Sequence, residues 1–176
     1  MKNIVYYVEI LDLAPSTVDD DGARIATEEI IIDGYVEVRL EGDIQFWAFA
    51  IEDWRVSKWS LSLIGKTIPL RFVFLNLETE LSDERIKAII PVDPNMPVIN
   101  YTIIGEIIDK EPFPREPDKF EYLQVDCGFI LNSLDADKGE YDIGDYIRSE
   151  GRLDVYLVEE EKLIKARRDS VVRGER

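Results

Sequence analysis

The sequence predicts an all-β protein made of two related modules, each a small barrel or curled antiparallel sheet, packed together. Three observations carry this expectation. Apolar residues alternate with polar ones at period two, as in Leu123, Val125, Cys127, Phe129 and Leu131, the pattern of a half-buried strand. Glycines with polar neighbours punctuate these runs, as turns require. The third observation is repetition. Ile64-Gly65-Lys66-Thr67-Ile68 leads into Arg71-Phe72-Val73-Phe74-Leu75, and Ile143-Gly144-Asp145-Tyr146-Ile147 leads into Arg152-Leu153-Asp154-Val155-Tyr156. A second match sets the stretch around Gly34 against the one around Gly105, at an offset of 71 rather than the 79 of Gly65 and Gly144. An insertion in Glu111–Lys119 would reconcile the two offsets.

Taken in order, residues 4–11 form a first strand and residues 15–24 a polar, acidic loop. Residues 25–40 alternate, with Ile30, Ile32, Gly34, Val36, Val38 and Leu40 on one face. Glu41-Gly42-Asp43 is a hairpin turn, residues 44–52 return, and residues 53–63 are an irregular connector. Another strand covers 67–77. Ser82 caps a short helix through residue 90. The proline-rich stretch 91–97 separates the copies. The second copy supplies strands near 98–109, 120–132, 140–149 and 151–159. A terminal helix covers 159–168, with acids first and Lys/Arg last, as the helix dipole prefers. The domain reading is therefore a first β-module with its N-terminal strand over 1–96, a second over 97–160 and a basic helical tail over 161–176.

The second copy, above all residues 141–156 (Y-D-I-G-D-Y-I-R-S-E-G-R-L-D-V-Y), resembles the generic strand pattern of OB-fold barrels. There a Gly-Asp turn opens one strand and a second Gly starts the next. The resemblance covers about 60 residues, clearest over 98–160, and is one of fold rather than of any particular family. It implies a sheet face that often serves oligonucleotides or oligosaccharides.

A chain of 176 residues buries roughly 70% of its unfolded surface, enough for a core without staples. With one cysteine it holds no internal disulfide, which fits a reducing compartment. No convincing signal peptide and no run approaching the ~20 apolar residues of a membrane span is present. The expectation is a cytoplasmic protein with no membrane association. Net charge is −16, and residues 161–176 hold six basic against three acidic groups. The other 160 residues then hold 15 basic and 34 acidic groups. Such a body repels nucleic acid, whose binding is dominated by phosphate neutralisation, and suits a basic protein partner.

Several motifs have plainer readings than their spacing implies. Residues 60–67 end like a phosphate-binding loop, but alternating Phe72 and Phe74 follow where a helix is needed; this is a β-turn. Thr17, Asp19, Asp21 and Glu28 have the spacing of an EF-hand loop without its flanking helices or charged first ligand. Asp19, Asp21 and Glu28 stand as weak metal candidates in a solvated acidic loop. Cys127 alternates with buried positions and is a small core residue. The chain has no histidine, which removes the commonest general base and metal ligand. No activated nucleophile or cofactor motif is present. The expectation is no enzyme and no cofactor.

The copies differ on their outer faces. In the second, Tyr122, Gln124, Asp126, Arg152, Asp154 and Tyr156 face out. Aligning Phe46 with Val125 and Phe72 with Leu153 leaves Trp47, Phe49, Ile51, Val73, Leu75 and Leu77 outside in the first, a large apolar face that something must cover. Either the chain covers it, or self-association or a partner does. Trp54, Arg55, Lys58 and Trp59 form the aromatic-basic cluster. They would stack bases in a single-strand binder, or close a barrel end with the cations at the rim. Trp47, Trp54, Arg55, Lys58 and Trp59 are the candidate partner-binding residues. The functional expectation is a non-catalytic binding or assembly protein that meets a protein partner through its acidic surface. The alternatives are an OB-type nucleic-acid or oligosaccharide binder using Trp54–Trp59, and an acidic inhibitor of a basic enzyme.

Overall fold

A computed structural model of the protein describes residues 4–15, 34–42, 44–50, 59–93 and 99–158. The protein is nearly all β, as expected. Among the described residues the strands are β1 (Tyr6–Pro15), β2 (Gly34–Arg39), β3 (Gln45–Ala50), β4 (Thr67–Leu81), β5 (Ala88–Pro91), β6 (Asn100–Pro112), β7 (Phe120–Asp126), β8 (Ile130–Asp137) and β9 (Tyr146–Leu157). One 3-10 turn, Leu61–Leu63, is capped by Ser60, whose hydroxyl accepts the Ser62 N–H at 3.2 Å.

The chain divides into two compact units. One holds Val5–Arg71 with the described residues 155–158, the other Phe72–Asp154. The divisions fall inside β4 and β9, not in the proline-rich stretch 91–97 where the sequence modules meet.

In the first unit, β1 pairs antiparallel with β2 and β2 with β3, while Tyr6–Glu9 of β1 pair with Thr67–Leu70 of β4. Val8, Ile10, Val36, Val38, Phe46 and Leu70 are buried between them, each an alternate position of its strand. The hairpin expected at residues 41–43 is present. Gly42 adopts φ 86° and Leu40 N–H bonds the Ile44 carbonyl at 2.8 Å.

In the second unit, β6 pairs antiparallel with β5, β7 and β9, and β7 with β8. The remainder of β4 lies beside β9 and meets β8 in parallel through one pair, Val73 and Asn132. The pairings run β6-β7-β8-β4-β9 and back to β6. This is the closed five-strand circuit expected of an OB-like barrel. It departs from the expectation in one respect, because its closing strand precedes the other four in the chain. Its core includes Phe72, Phe74, Ile103, Leu123, Leu131 and Leu153, with Phe72 edge-on to Phe129 at 5.8 Å.

The internal repeat is real but its first half falls elsewhere than the sequence match places it. Gly65 and Gly144 both adopt positive φ, 78° and 96°, and make the same bonds. Gly65 N–H donates to the Ile10 carbonyl and Ile10 N–H to that of Lys66; Gly144 N–H donates to Ile107 and Ile107 N–H to Asp145. The counterpart of β6 is therefore β1, and Gly34 does not match Gly105. Glu9-Ile10-Leu11-Asp12 corresponds to Glu106-Ile107-Ile108-Asp109. Both segments carry a bulge after the isoleucine. In both, the aspartate side chain accepts the next N–H, at 2.8 Å for Leu13 and 2.9 Å for Lys110. A bulge removes a residue from the ladder, and a local carboxylate satisfies part of what it frees.

Other expectations are corrected. Residues 82–87 form no helix, and Ala88–Pro91 is a strand against Tyr101–Ile104. Ser82 Oγ does accept the Glu84 N–H at 3.1 Å, but Ile86, Ile89 and Ile90 favour a strand and β6 offers an edge. The stretch 120–132 is a hairpin turning at Gly128, φ 107°. The two strands sought at 140–149 and 151–159 are one, β9, in which Gly151 is no turn. Gln124 and Asp154 are buried rather than outward-facing. Asp154 bonds Arg152 Nε at 2.7 Å, and Gln124 donates to Asn132 Oδ1 at 2.6 Å. The helix sought at 159–168 lies outside the described residues.

Two outcomes follow. Gly151 meets β4 so closely that an added Cβ would sit 2.3 Å from the Leu75 carbonyl oxygen and 2.8 Å from Asn76 Cα. Gly151→Ala must push backbone from backbone and is expected to cost about 3 kcal/mol or more. Gly128→Ala, with open space around it, is expected to cost about 1 kcal/mol from its positive φ alone; urea denaturation of both variants compares them. A fragment covering 98–160 lacks β4 and is expected to fail to melt cooperatively, whereas 72–160 restores the strand. Circular dichroism melts of the two fragments test the circuit.

Candidate functional site

A concave feature of the second unit opens where β4 and β8 part. Their ladder is the single pair Val73–Asn132. Beyond it the Asn76 side chain takes the place of a backbone pair. Its Oδ1 accepts the Asp135 N–H at 2.9 Å, and its Nδ2 donates to the Asp135 carbonyl at 2.9 Å and to Thr79 Oγ1 at 3.1 Å. An amide matches the donor and acceptor of a peptide group, so it can hold two strands at the apex of a wedge.

The wedge encloses about 270 Å³ and is lined by Asn76, Thr79, Phe120, Asp135, Asp137 and Tyr141, with Ala136 and Glu140 completing it. Alternation explains the far wall, since Leu134 and Ala136 are buried and Asp135 and Asp137 point the other way. Gly139, φ 80°, turns the chain. Tyr141 then returns to the interior, 4% exposed, and its hydroxyl donates to the Thr79 carbonyl at 2.9 Å. A second groove is lined by Glu78, Thr79, Glu80, Arg148 and Glu150. The two share Thr79. Leu75, Leu77 and Leu81 alternate with these polar groups along β4, Leu77 being 82% and Leu81 63% exposed.

The electrostatics are one-sided. Some acids elsewhere in this unit are paired: Glu121 with Lys110 at 3.1 Å, Asp126 with Lys87 at 2.7 Å, Asp154 with Arg152. Among the described residues Asp135, Asp137 and Glu140 have no such cation, and no Lys or Arg lines the wedge. Burial raises the Asp135 carboxyl above its ordinary 3.8. The Tyr141 hydroxyl is pushed up to about 12, first by burial and then by Glu140, with Glu80 and Asp137 adding to it. The carboxylate contributions at Tyr141 report a site where another negative charge is unwelcome. Cys127, by contrast, is plain core. Its thiol is pushed up to about 12 by burial and donates to the Phe129 carbonyl at 3.4 Å.

The expected site residues fare unevenly. Trp47 lies half-buried in β3, opposite Glu37. Trp59 has no exposed surface, the arrangement of a side chain that closes a core rather than one that awaits a base. Trp54, Arg55 and Lys58 lie outside the described residues, as do Asp19, Asp21 and Glu28. Trp47 and Phe49 belong to the first unit, Phe49 tilted against Tyr35 at 5.9 Å. Val73, Leu75 and Leu77 belong to the second. Among the described residues no group of three acids or cysteines is placed to hold a metal, and no helix is long and apolar enough to cross a membrane.

The wedge itself escapes sequence reasoning. Its signal is present in Leu75-Asn76-Leu77-Glu78-Thr79-Glu80-Leu81, a strand whose alternating leucines sit among acids, and in the acidic turn 135–140. Nothing in either stretch says that they meet. Comparison with known protein families, characterised proteins and solved structures finds no match to any of them.

An uncompensated carboxylate in partial burial leaves a signature. The folded-state pKa of Asp135 lies above 3.8, so the folded protein holds that proton more tightly than the unfolded chain. Stability then falls as pH rises through this range, and the ionised group is unfavourable at neutrality. Asp135→Asn is expected to be at least as stable as the parent at neutral pH. Its advantage should shrink on acidification below the ordinary carboxylate range. Denaturant midpoints at the two pH values measure this, and a clear loss of stability at neutral pH would contradict it.

Proposed function

We propose that the protein is a non-catalytic, cytoplasmic binding protein that contacts a basic protein partner through its acidic surface. The observation that supports it best is the wedge of Asp135, Asp137 and Glu140, a concave acidic site with no cation of its own among the described residues in a chain of net charge −16. Carboxylates grouped without counter-ions cost stability. A partner that supplies the missing charge recovers it on binding. Steering by the net charge would raise the association rate and make it sensitive to salt. An inhibitor of a basic enzyme is one form this activity takes.

The single-strand binding alternative loses ground on two observations. Trp59 is wholly buried. Of the residues on strands β7 and β8, the faces an OB-type site uses, Asp126 is paired with Lys87 and Gln124 with Asn132, and neither pair is a stacking platform. Titration of the protein with single-stranded DNA and RNA at physiological salt, followed by tryptophan fluorescence, is expected to give no saturable quenching. Affinity-tagged protein exposed to host lysate is expected to retain a stoichiometric basic protein at low salt and release it as salt rises. Micromolar oligonucleotide binding, or release that is indifferent to salt, would overturn the reading.

A further inference from the structure

Resting on the acidic-partner reading, we infer that the opening between β4 and β8 in the second unit is a docking site for an extended basic segment of a partner protein. The segment would add as a strand along β4 over Leu77–Leu81.

Three features converge on this occupant. The first is an unfinished ladder: β4 and β8 pair only at Val73–Asn132, and β4 continues as a strand to Leu81. The Thr79 carbonyl faces the wedge, where Tyr141 caps it. In a strand the N–H and C=O of one residue point to one edge, and alternate residues share it. The peptide groups of Leu77 and Leu81 therefore lie on that same edge, either side of the Thr79 carbonyl, which an incoming strand would have to take from the Tyr141 hydroxyl. An exposed edge of this kind is the template for strand addition.

The second feature is side-chain chemistry. A strand laid there presents its side chains alternately. One set meets Leu77 and Leu81, the most exposed large apolar groups of the unit. The other meets Glu78 and Glu80 on β4 itself, which share their groove with Arg148 and Glu150, while Asp135 and Asp137 line the gap. The matching sequence alternates lysine or arginine with a β-branched or leucine residue.

The third feature selects against a second copy of this chain. β4 of one copy would bring Glu78 and Glu80 against Glu78 and Glu80 of another, and like charges directly opposed across a ladder are destabilising. A cationic strand meets no such repulsion.

The test uses the intact protein, isotope-labelled, and a short capped peptide alternating lysine and valine. Two controls accompany it. One alternates glutamate and valine; the other alternates lysine and proline, keeping the charge while removing half the backbone donors. Binding of the lysine–valine peptide is expected to shift the amide resonances of residues 77–81 and the Asn76 side chain. Affinity is expected to fall about tenfold for the lysine–proline peptide and about tenfold in the Asp135→Asn, Asp137→Asn, Glu140→Gln triple variant. Should that variant melt early, Glu78→Gln with Glu80→Gln, both at exposed positions, serves in its place with the same expectation. If the two lysine peptides bind equally, or the shifts fall away from 77–81, strand addition at this edge is overturned while the acidic-surface reading stands. If no basic peptide binds at all, both fall. Binding of the glutamate peptide as tightly as the lysine one would also overturn the site.

Discussion

The second unit depends on one close approach. Its circuit closes only because β4 lies against β9, and at Gly151 the two backbones come nearer than any side chain permits. Around that contact the seam is held by polar side chains. Ser149 Oγ donates to the Glu78 carbonyl at 2.9 Å and lies 2.8 Å from Thr79 Oγ1; the Ser82 N–H bonds the Tyr146 carbonyl at 2.8 Å. Gly105 makes a comparable approach to the Asp126 backbone on the opposite side of the circuit. A small barrel must bring strands together more tightly at some points than regular spacing allows, and glycine marks those points. What closes tightly at Gly151 opens elsewhere. With β4 drawn against β9, it parts from β8 after one pair, and the wedge is what remains between them.

This geometry explains which parts of the fold were legible in the sequence. Alternation was reliable wherever a strand has one buried face. Phe46, Ala48, Ala50, Phe72 and Phe74 all prove buried, as do Leu123, Val125, Cys127, Phe129 and Leu131. The turn glycines Gly42, Gly65 and Gly144 were also legible, since positive φ leaves a compositional trace. Gly151 was misread because a glycine for close approach and a glycine for a turn look alike in one dimension. Gln124 and Asp154 were misplaced for a related reason. Period two assigns them outward, but an outward face can itself be covered, and polar residues tolerate that when bonded to a neighbour.

The repeat shows how a correct inference acquires a wrong register. Gly34 and Gly105 sit in similar apolar runs, yet one begins the second strand of its unit and the other lies within β6. The bulge motif Ile-x-Asp, seven residues of similar spacing from Glu9 to Pro15 and from Glu106 to Pro112, is the true counterpart. It is less conspicuous because only the isoleucine, the aspartate and the flanking Glu and Pro are held by physics. The isoleucine fills the core, and the aspartate accepts the N–H that the bulge frees. The candidate site was less legible still. A wedge made by residues 76–81 and 135–141 requires knowing that two segments some sixty residues apart are neighbours, as the Asn76–Asp135 bonds show. A parallel pair leaves no turn between its strands to announce it.

An open β edge is ordinarily a hazard, and proteins guard such edges with short strands, proline or charge. β5 follows the first two devices, being four residues long and ending at Pro91. β4 follows neither, since it runs on to Leu81 with Leu77 and Leu81 exposed. Its guard is the carboxylates of Glu78, Glu80, Asp135 and Asp137. A guard in which carboxylates outnumber the one cation, Arg148, is selective in a way that a proline is not. On the proposed reading it would refuse strands that are neutral or acidic, this chain's own β4 among them, because it would leave carboxylates desolvated or opposed by like charge. It would admit a strand that carries compensating cations. On that proposed reading, the residues that guard the edge would also define what is able to bind there.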